Sequence, residues 1–106
     1  MIVDLHVHTT RGSSDSSLDP ADLMETAAAS GIDGICLAEH SLIWDDESLR
    51  DIAADSGITL FSAREIETNL GHVLAVGLKR FEGGMHVFEN LRKSAREQGA
   101  ALVFAH

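Results

Sequence analysis

Residues 32–40 read IDGICLAEH, a short apolar run that ends in a glutamate and a histidine. A run that is apolar at consecutive positions is typical of a strand buried on both faces, as the strands of a parallel sheet are. We therefore predict a strand over residues 32–39, with His40 just past its end. Cys36, the single cysteine of the chain, lies inside this run, so we expect a buried structural thiol and no internal disulfide.

Strand and helix signals alternate on both sides of this run. Upstream, residues 2–8 read as a strand, and Asp19 with Pro20 provides the N-cap and first position of a helix over 21–30 that stops at Gly31. Downstream, we predict a helix over 45–56 that ends at Gly57, strands over 58–67 and 72–78 that form a hairpin or a bent meander, a helix over 85–98, and a strand over 100–105.

Because the helices lie between strands, we expect right-handed crossovers and a largely parallel sheet. The sequence thus predicts an α/β fold. The 106 residues are enough for one small domain, or for part of a larger one, and no internal linker divides them.

The charge of the chain limits its partners. It carries 17 acidic against 8 basic residues, a formal net charge of -9 at pH 7. Binding to long nucleic acid or to an anionic membrane needs a basic surface, so both are disfavoured. The N-terminus shows no secretory signal and no apolar run is long enough to span a bilayer, which predicts a soluble, cytoplasmic protein.

Residues 4–10, DLHVHTT, place ionisable groups in a strand. Strand alternation would put Asp4, His6 and His8 on one face, and Leu5 and Val7 on the other. Burying three ionisable groups without partners is costly, so this face needs a chemical explanation.

Further histidines and a glutamate fall at the same end of the predicted sheet. His40 follows the second strand, Glu65 lies late in the third, His72 begins the fourth near Glu65, and His106 follows the last. The C-terminal ends of parallel strands share one rim, where sites are built. A metal ion needs imidazole and carboxylate ligands from separated segments, and five of the six histidines, all except His86, meet that requirement.

Each of these residues also has a plain structural interpretation. A single histidine at a strand end is usually a hydrogen-bonding surface residue, and only the cluster favours metal binding. Asp4 either orients a ligand histidine or pairs with a basic group, and Asp15 is either an oxygen ligand or a turn aspartate. Arg11 and Arg64 lie near the rim, where they either hold a phosphate or neutralise the carboxylates around them.

A known family carries the same motifs in the same order. The chain resembles the PHP domain, the polymerase and histidinol phosphatase superfamily, in DLHVHT (4–9), AEH (38–40), AREIET (63–68), HVLAVG (72–77) and FAH (104–106). Two positions depart from the family pattern. Glu39 stands in place of the usual aspartate, and Ala63 with Arg64 replaces a glycine and a small residue.

The resemblance implies a distorted (β/α)7 barrel, of which this chain covers the N-terminal half. It also implies two or three divalent metal ions, manganese, iron or zinc, at the C-terminal rim. The implied ligands are His6, His8, His106 and a bridging Glu65, with His40 and His72 on a further metal or on the substrate phosphate, and Asp15 completing a third metal position. Catalysis would use a metal-held water, with Glu65 and His40 in the catalytic centre and Arg11 or Arg64 adding charge stabilisation.

The sequence therefore supports a metal-dependent phosphoesterase that acts on a small phosphorylated metabolite or nucleotide. The alternative is a non-catalytic metal-binding half-domain that needs a further segment or a partner chain to complete its site. A half-barrel also has open edge strands, which predicts self-association.

Overall fold

The structure is a computed structural model that describes residues 2–105. Its described part contains five strands and three helices in the predicted order: β1 (Val3–Val7), α1 (Pro20–Ser30), β2 (Gly34–Glu39), α2 (Asp46–Ala53), β3 (Thr59–Thr68), β4 (Gly71–Val76), α3 (Phe88–Gln98) and β5 (Ala101–Phe104). The α/β prediction is therefore confirmed. No described helix is long and apolar enough to cross a membrane.

The strands form one curled sheet, half of a barrel, in the order β1-β2-β3-β4-β5. β1, β2 and β3 are parallel, whereas β4 is antiparallel to both β3 and β5. The expectation of a largely parallel sheet is therefore wrong, since two of the four neighbouring pairs are antiparallel. The turn at Asn69 and Leu70 joins β3 and β4 as a hairpin, one of the two predicted arrangements, and is too short for a parallel crossover. The second antiparallel pair forms because β5 returns after α3 antiparallel to β4.

The first two helices begin at side-chain caps. The Asp19 carboxylate accepts the backbone N–H of Ala21 at 2.9 Å, with Pro20 at the first helical position. The Asp45 carboxylate accepts the backbone N–H of Ser48 at 2.7 Å. Hydrogen bonds to backbone N–H groups and to the Ser48 side chain hold the pKa of Asp45 below its usual range, against a small opposing effect of desolvation.

Two helices are shorter than predicted. α2 ends at Ala53 rather than at residue 56, because Asp55 adopts a left-handed backbone with φ 62°. α3 begins at Phe88 rather than at residue 85, because Gly84 has φ 88° and the preceding residues form turns. Met85 is buried in the core instead.

Two apolar clusters pack the helices against one face of the sheet, and a smaller cluster of Cys36, Ala38, Ala63 and Leu74 lies on the other face. One cluster joins α1 and α2 to the sheet: Leu23, Met24, Ala27, Ile35, Leu37, Trp44, Leu49 and Ile58. A second joins α3 to β3 and β4: Ile66, Val73, Ala75, Leu78, Met85 and Leu91. Every residue of β2 is buried, as predicted, and burial followed by the charge of Asp4 raises the pKa of the Cys36 thiol to about 11.

β1 departs from regular alternation. Asp4 pairs with Ile35 and Val7 pairs with Leu37, so three steps along β1 match two along β2. Such an irregularity redirects the side chains between the two pairs. Val7 packs against the first core cluster, but Leu5 is 56% exposed. Leu5 and Val7, which strand alternation would place on one face, therefore have different surroundings.

Candidate metal centre

Glu65 lies at the middle of a ring of histidines. Its side chain is buried, and each of its two oxygens faces two imidazoles. Oε1 contacts His6 Nε2 and lies 3.6 Å from His8 Nε2. Oε2 lies 3.5 Å from His40 Nε2 and 3.1 Å from His72 Nδ1. The structure thus brings a carboxylate and four histidines from four strand segments to one place.

The sheet explains why these residues meet. His6 lies in β1, His8 follows β1 directly, and His40 follows β2. Because β1, β2 and β3 are parallel, their C-terminal ends lie along one edge, where Glu65 also lies. His72 reaches the same edge from β4, since the hairpin pairs it with Glu67.

The ionisation of Glu65 is set by two opposing effects. Desolvation by burial raises its pKa, and this is the largest single influence. The hydrogen bond with His72 and the charges of His40 and His6 together outweigh burial, so the pKa of Glu65 lies below its usual range. The carboxylate is therefore ionised at neutral pH and is available as a ligand.

Two groups of donor atoms are compact enough to hold a metal ion. The first is His6, His8 and Glu65, and the second is His8, Asp15 and His40, with the ligand atoms of each group within 4.8 Å of one another. Asp15 joins the second group from the loop after β1, with its Oδ2 3.3 Å from His40 Nε2. His8 belongs to both groups, and its ring stacks on that of His40 with centroids 4.5 Å apart.

The donor set fits a divalent cation. His8 Nδ1 and Glu65 Oε1 are buried, yet neither makes a well-aligned hydrogen bond with the described residues. His6 Nε2 and His8 Nε2 both face Glu65 Oε1, and a cation held by these three residues would satisfy their buried lone pairs. Imidazole and carboxylate together suit zinc, iron and manganese.

Other residues named from the sequence lie outside these two groups. Asp4 is exposed, and its carboxylate accepts the backbone N–H of His6 at 3.1 Å. Arg11 is exposed in the loop that follows His8. His86 Nδ1 bonds to the backbone carbonyl of Glu67 at 2.8 Å, which agrees with its expected separation from the cluster. His106 lies outside the described residues.

Comparison of the sequence with models of known protein families identifies a family that typically binds metal ions, in agreement with this geometry. The sequence model of the PHP domain matches residues 4–102. The chain belongs to the PHP domain family. PHP proteins are generally hydrolases, and PHP domains typically bind divalent metal ions.

One curated relative shows how much of a longer protein the chain covers. The chain is 30% identical over 104 residues to a protein named 5'-3' exoribonuclease from Haemophilus influenzae. The match includes 94% of this chain but only 37% of that relative. The chain therefore spans well under half the length of this PHP-related protein.

Sequence reasoning missed the role of Glu39, the residue that departs from the PHP pattern. Glu39 is fully buried, and its carboxylate accepts hydrogen bonds from Thr9, Ser13 and Trp44. We call these four residues the Glu39 cluster. The only available signal was a carboxylate at the end of a wholly apolar strand, which requires buried donors.

Proposed function

We propose that this chain carries the metal centre of a phosphoesterase that hydrolyses a phosphate ester with an activated water. The supporting observation is the convergence of four histidines on the buried Glu65, with Asp15 beside them. We further propose that the curled half-barrel is the N-terminal part of a distorted (β/α)7 barrel, and that the substrate is a small phosphorylated metabolite or nucleotide.

We assign metal binding to both donor groups. His6, His8 and Glu65 would hold one cation, and Asp15 with His40 would hold a second beside it. His72 keeps Glu65 Oε2 in place through its 3.1 Å hydrogen bond, and we place His72 and His106 as further ligands. Divalent cations at these positions would activate water and stabilise the charge that develops on the phosphoryl oxygens.

The remaining assignments concern the substrate. His40 Nε2 lies between Asp15 and Glu65, at 3.3 and 3.5 Å, so it is placed either to bind a cation or to donate to a substrate phosphate. Arg11 is exposed on the loop beside His8, where its charge would attract the phosphate. The net charge of -9 favours a small anion over a long polyanion, although the relative from Haemophilus influenzae is named for an RNA substrate.

Metal content and hydrolysis, measured together, test this proposal. The full-length protein, loaded with manganese, is expected to hold at least two metal ions per chain and to release p-nitrophenol from p-nitrophenyl phosphate. His8→Ala should abolish hydrolysis and lower metal content, because His8 belongs to both groups. His86→Ala should keep its metal, because His86 belongs to neither donor group and its Nδ1 bonds to the backbone carbonyl of Glu67.

The same measurements separate the alternative, a metal-binding half-domain without turnover. One bound metal ion without hydrolysis of any phosphate ester would support that alternative. The sheet edges are compatible with either a further segment or a partner chain, since Leu5 on β1 and Val103 and Phe104 on β5 are exposed apolar residues on edge strands. Light scattering would test the self-association that these edges predict, and a monomer at all concentrations would contradict it.

A further inference from the structure

The two donor groups of the metal centre are supported in different ways. In the first group, His6 lies in β1 and Glu65 lies in β3, so the sheet holds both side chains. In the second group, Asp15 comes from the loop between β1 and α1, and its side chain is 61% exposed. A ligand on a loop must be ordered before it can hold a metal ion, which weakens binding unless other residues fix the loop.

The carboxylate of Glu39 holds this loop at two buried positions. Thr9 N and Ser13 Oγ donate to Glu39 Oε1 at 2.7 and 3.0 Å, and Thr9 Oγ1 donates to Oε2. Both residues are buried, at 0% and 3% exposed. Thr9 directly follows His8, and Ser13 lies two residues before Asp15. Glu39 therefore fixes the loop close to two members of the second donor group.

The Ser13 hydroxyl extends this support to the third member, His40. It donates to Glu39 Oε1 and accepts the backbone N–H of His40 at 3.1 Å. Glu39 itself belongs to neither donor group. Its carboxylate thus joins the loop that carries Asp15 to the segment that carries His40, and the second donor group is assembled from these two segments.

A second contact joins the same two segments independently of Glu39. The backbone N–H and the hydroxyl of Ser41 both donate to the carbonyl of Gly12, each at 2.8 Å. This contact would remain after substitution of Glu39. Loss of Glu39 is therefore expected to loosen the loop around Asp15 rather than to detach it.

Glutamine at position 39 would break part of this arrangement. Each carboxylate oxygen accepts one hydroxyl and one N–H, with Ser13 Oγ and Thr9 N on Oε1, and Thr9 Oγ1 and Trp44 Nε1 on Oε2. A hydroxyl turns readily to accept a hydrogen bond, whereas an N–H only donates. In either orientation the amide nitrogen of glutamine would face an N–H donor, so one contact of the Glu39 cluster is lost.

We propose that Glu39 is a positioning residue that sets the affinity of the second donor group for its metal ion without contacting the ion. The inference rests on the two metal positions of the proposed function and adds that they are not equivalent. The sheet fixes the first position, whereas the second depends on how Glu39 holds the loop after β1.

Manganese binding to the metal-free, full-length protein tests this role without a substrate. Free Mn²⁺ is counted from its EPR signal during a titration, and the wild type should bind at least two ions. Glu39→Gln should weaken one ion about 10- to 100-fold, as expected for loss of a residue that orients ligands, and should leave the tightest ion unchanged. Asp15→Asn should weaken the same ion, and adding Glu39→Gln to it should weaken no further ion.

Three substitutions separate positioning from a general effect on stability. Ser13→Ala removes the hydroxyl between Glu39 and His40, so it should weaken the same ion although Glu39 is retained. Ser14→Ala, the same change at the exposed next position, should bind manganese as the wild type does. Trp44→Phe removes a donor that lies outside the loop, so it should unfold at lower urea concentration and keep its ions.

Circular dichroism first establishes that each variant is folded at the titration temperature, and Ser13→Ala decides the case if Glu39→Gln does not fold. Equal weakening of every ion, unchanged binding in Ser13→Ala, or a wild type that binds a single ion overturns the positioning role. Selective weakening in a protein that hydrolyses no phosphate ester contradicts only the phosphoesterase, because manganese binding is measured without substrate.

Discussion

Two buried glutamates at the same end of the sheet have opposite surroundings. Glu39 ends β2 and receives neutral donors, with Thr9 N at 2.7 Å, Trp44 Nε1 at 2.9 Å and Ser13 Oγ at 3.0 Å. Glu65, in β3, faces imidazoles and keeps an oxygen without a well-aligned hydrogen bond. The comparison teaches that burial alone does not separate a structural carboxylate from a proposed metal ligand, because the chemistry of the partners distinguishes them.

Removal of the Glu39 carboxylate should give the largest loss of stability. Glu39→Ala is expected to cost about 3–5 kcal/mol, because several buried donors lose their acceptor at about 1–3 kcal/mol each. Urea denaturation of the metal-free protein measures this loss. Glu39→Gln retains one acceptor and should cost less, and Glu25→Ala, on the exposed surface of α1, should stay within about 0.5 kcal/mol of the wild type.

Replacement of Glu65 should affect metal binding rather than stability. Glu65→Gln is expected to weaken metal binding about 100-fold or more, since it removes a ligand and not only a supporting group. In the metal-free state its unfolding free energy should remain within about 1 kcal/mol of the wild type. Competitive chelator titration measures the first effect, and Glu67→Gln, two residues along the strand, should keep its metal. If Glu65→Gln lost more stability than Glu39→Gln, the contrast between a structural Glu39 and a metal-binding Glu65 would be wrong.

The glycine beside Glu39 tests how closely the loop after β1 packs on this carboxylate. A Cβ on Gly12 would lie 2.6 Å from Glu39 Cβ and 2.7 Å from Leu42 Cγ. Gly12→Ala should therefore cost about 1–3 kcal/mol through overpacking. The substitution should also weaken metal binding by the second donor group, because the same loop carries Asp15. Gly83→Ala meets no atom within 4 Å and should unfold at the same urea concentration as the wild type.

An exposed carboxylate provides the smallest expected effect. Hydrogen bonds from the start of α2 lower the pKa of Asp45 in the folded state, so its contribution to stability is present above its unfolded pKa. That contribution is lost as pH falls through the lower, folded pKa. Asparagine at position 45 also caps a helix, so Asp45→Asn and the wild type should differ little in stability at neutral pH. Thermal melts from pH 7 to about pH 3 should show a steeper acid loss in the wild type than in Asp45→Asn, and parallel curves would contradict this account.

Local signals predicted much of the fold. Asp19 with Pro20 begins α1 and Gly31, with φ 74°, ends it, as their capping preferences indicate. The apolar run of β2 is buried along its length. These predictions held because each depends on residues within a few positions of one another.

Predictions that needed distant contacts were less complete. The sequence placed His6, His8, His40 and Glu65 near one rim, because strand ends alone determine that edge. It did not reveal the irregular register of β1, which depends on how β1 meets β2 some 30 residues later. Nor did it reveal the antiparallel pairing of β5 with β4, because strand order does not specify which edge a returning strand joins.

The sequence by itself determined the order of the elements, the buried β2 and the position of the histidines at strand ends. Only the tertiary structure decided which carboxylate is satisfied and which is not. Glu39 accepts hydrogen bonds from Thr9 and Ser13, 30 and 26 residues away, whereas Glu65 Oε1 faces the imidazoles of His6 and His8. The physical reason is that hydrogen bonding and charge pairing depend on distances of a few ångströms, which the fold sets between segments remote in sequence.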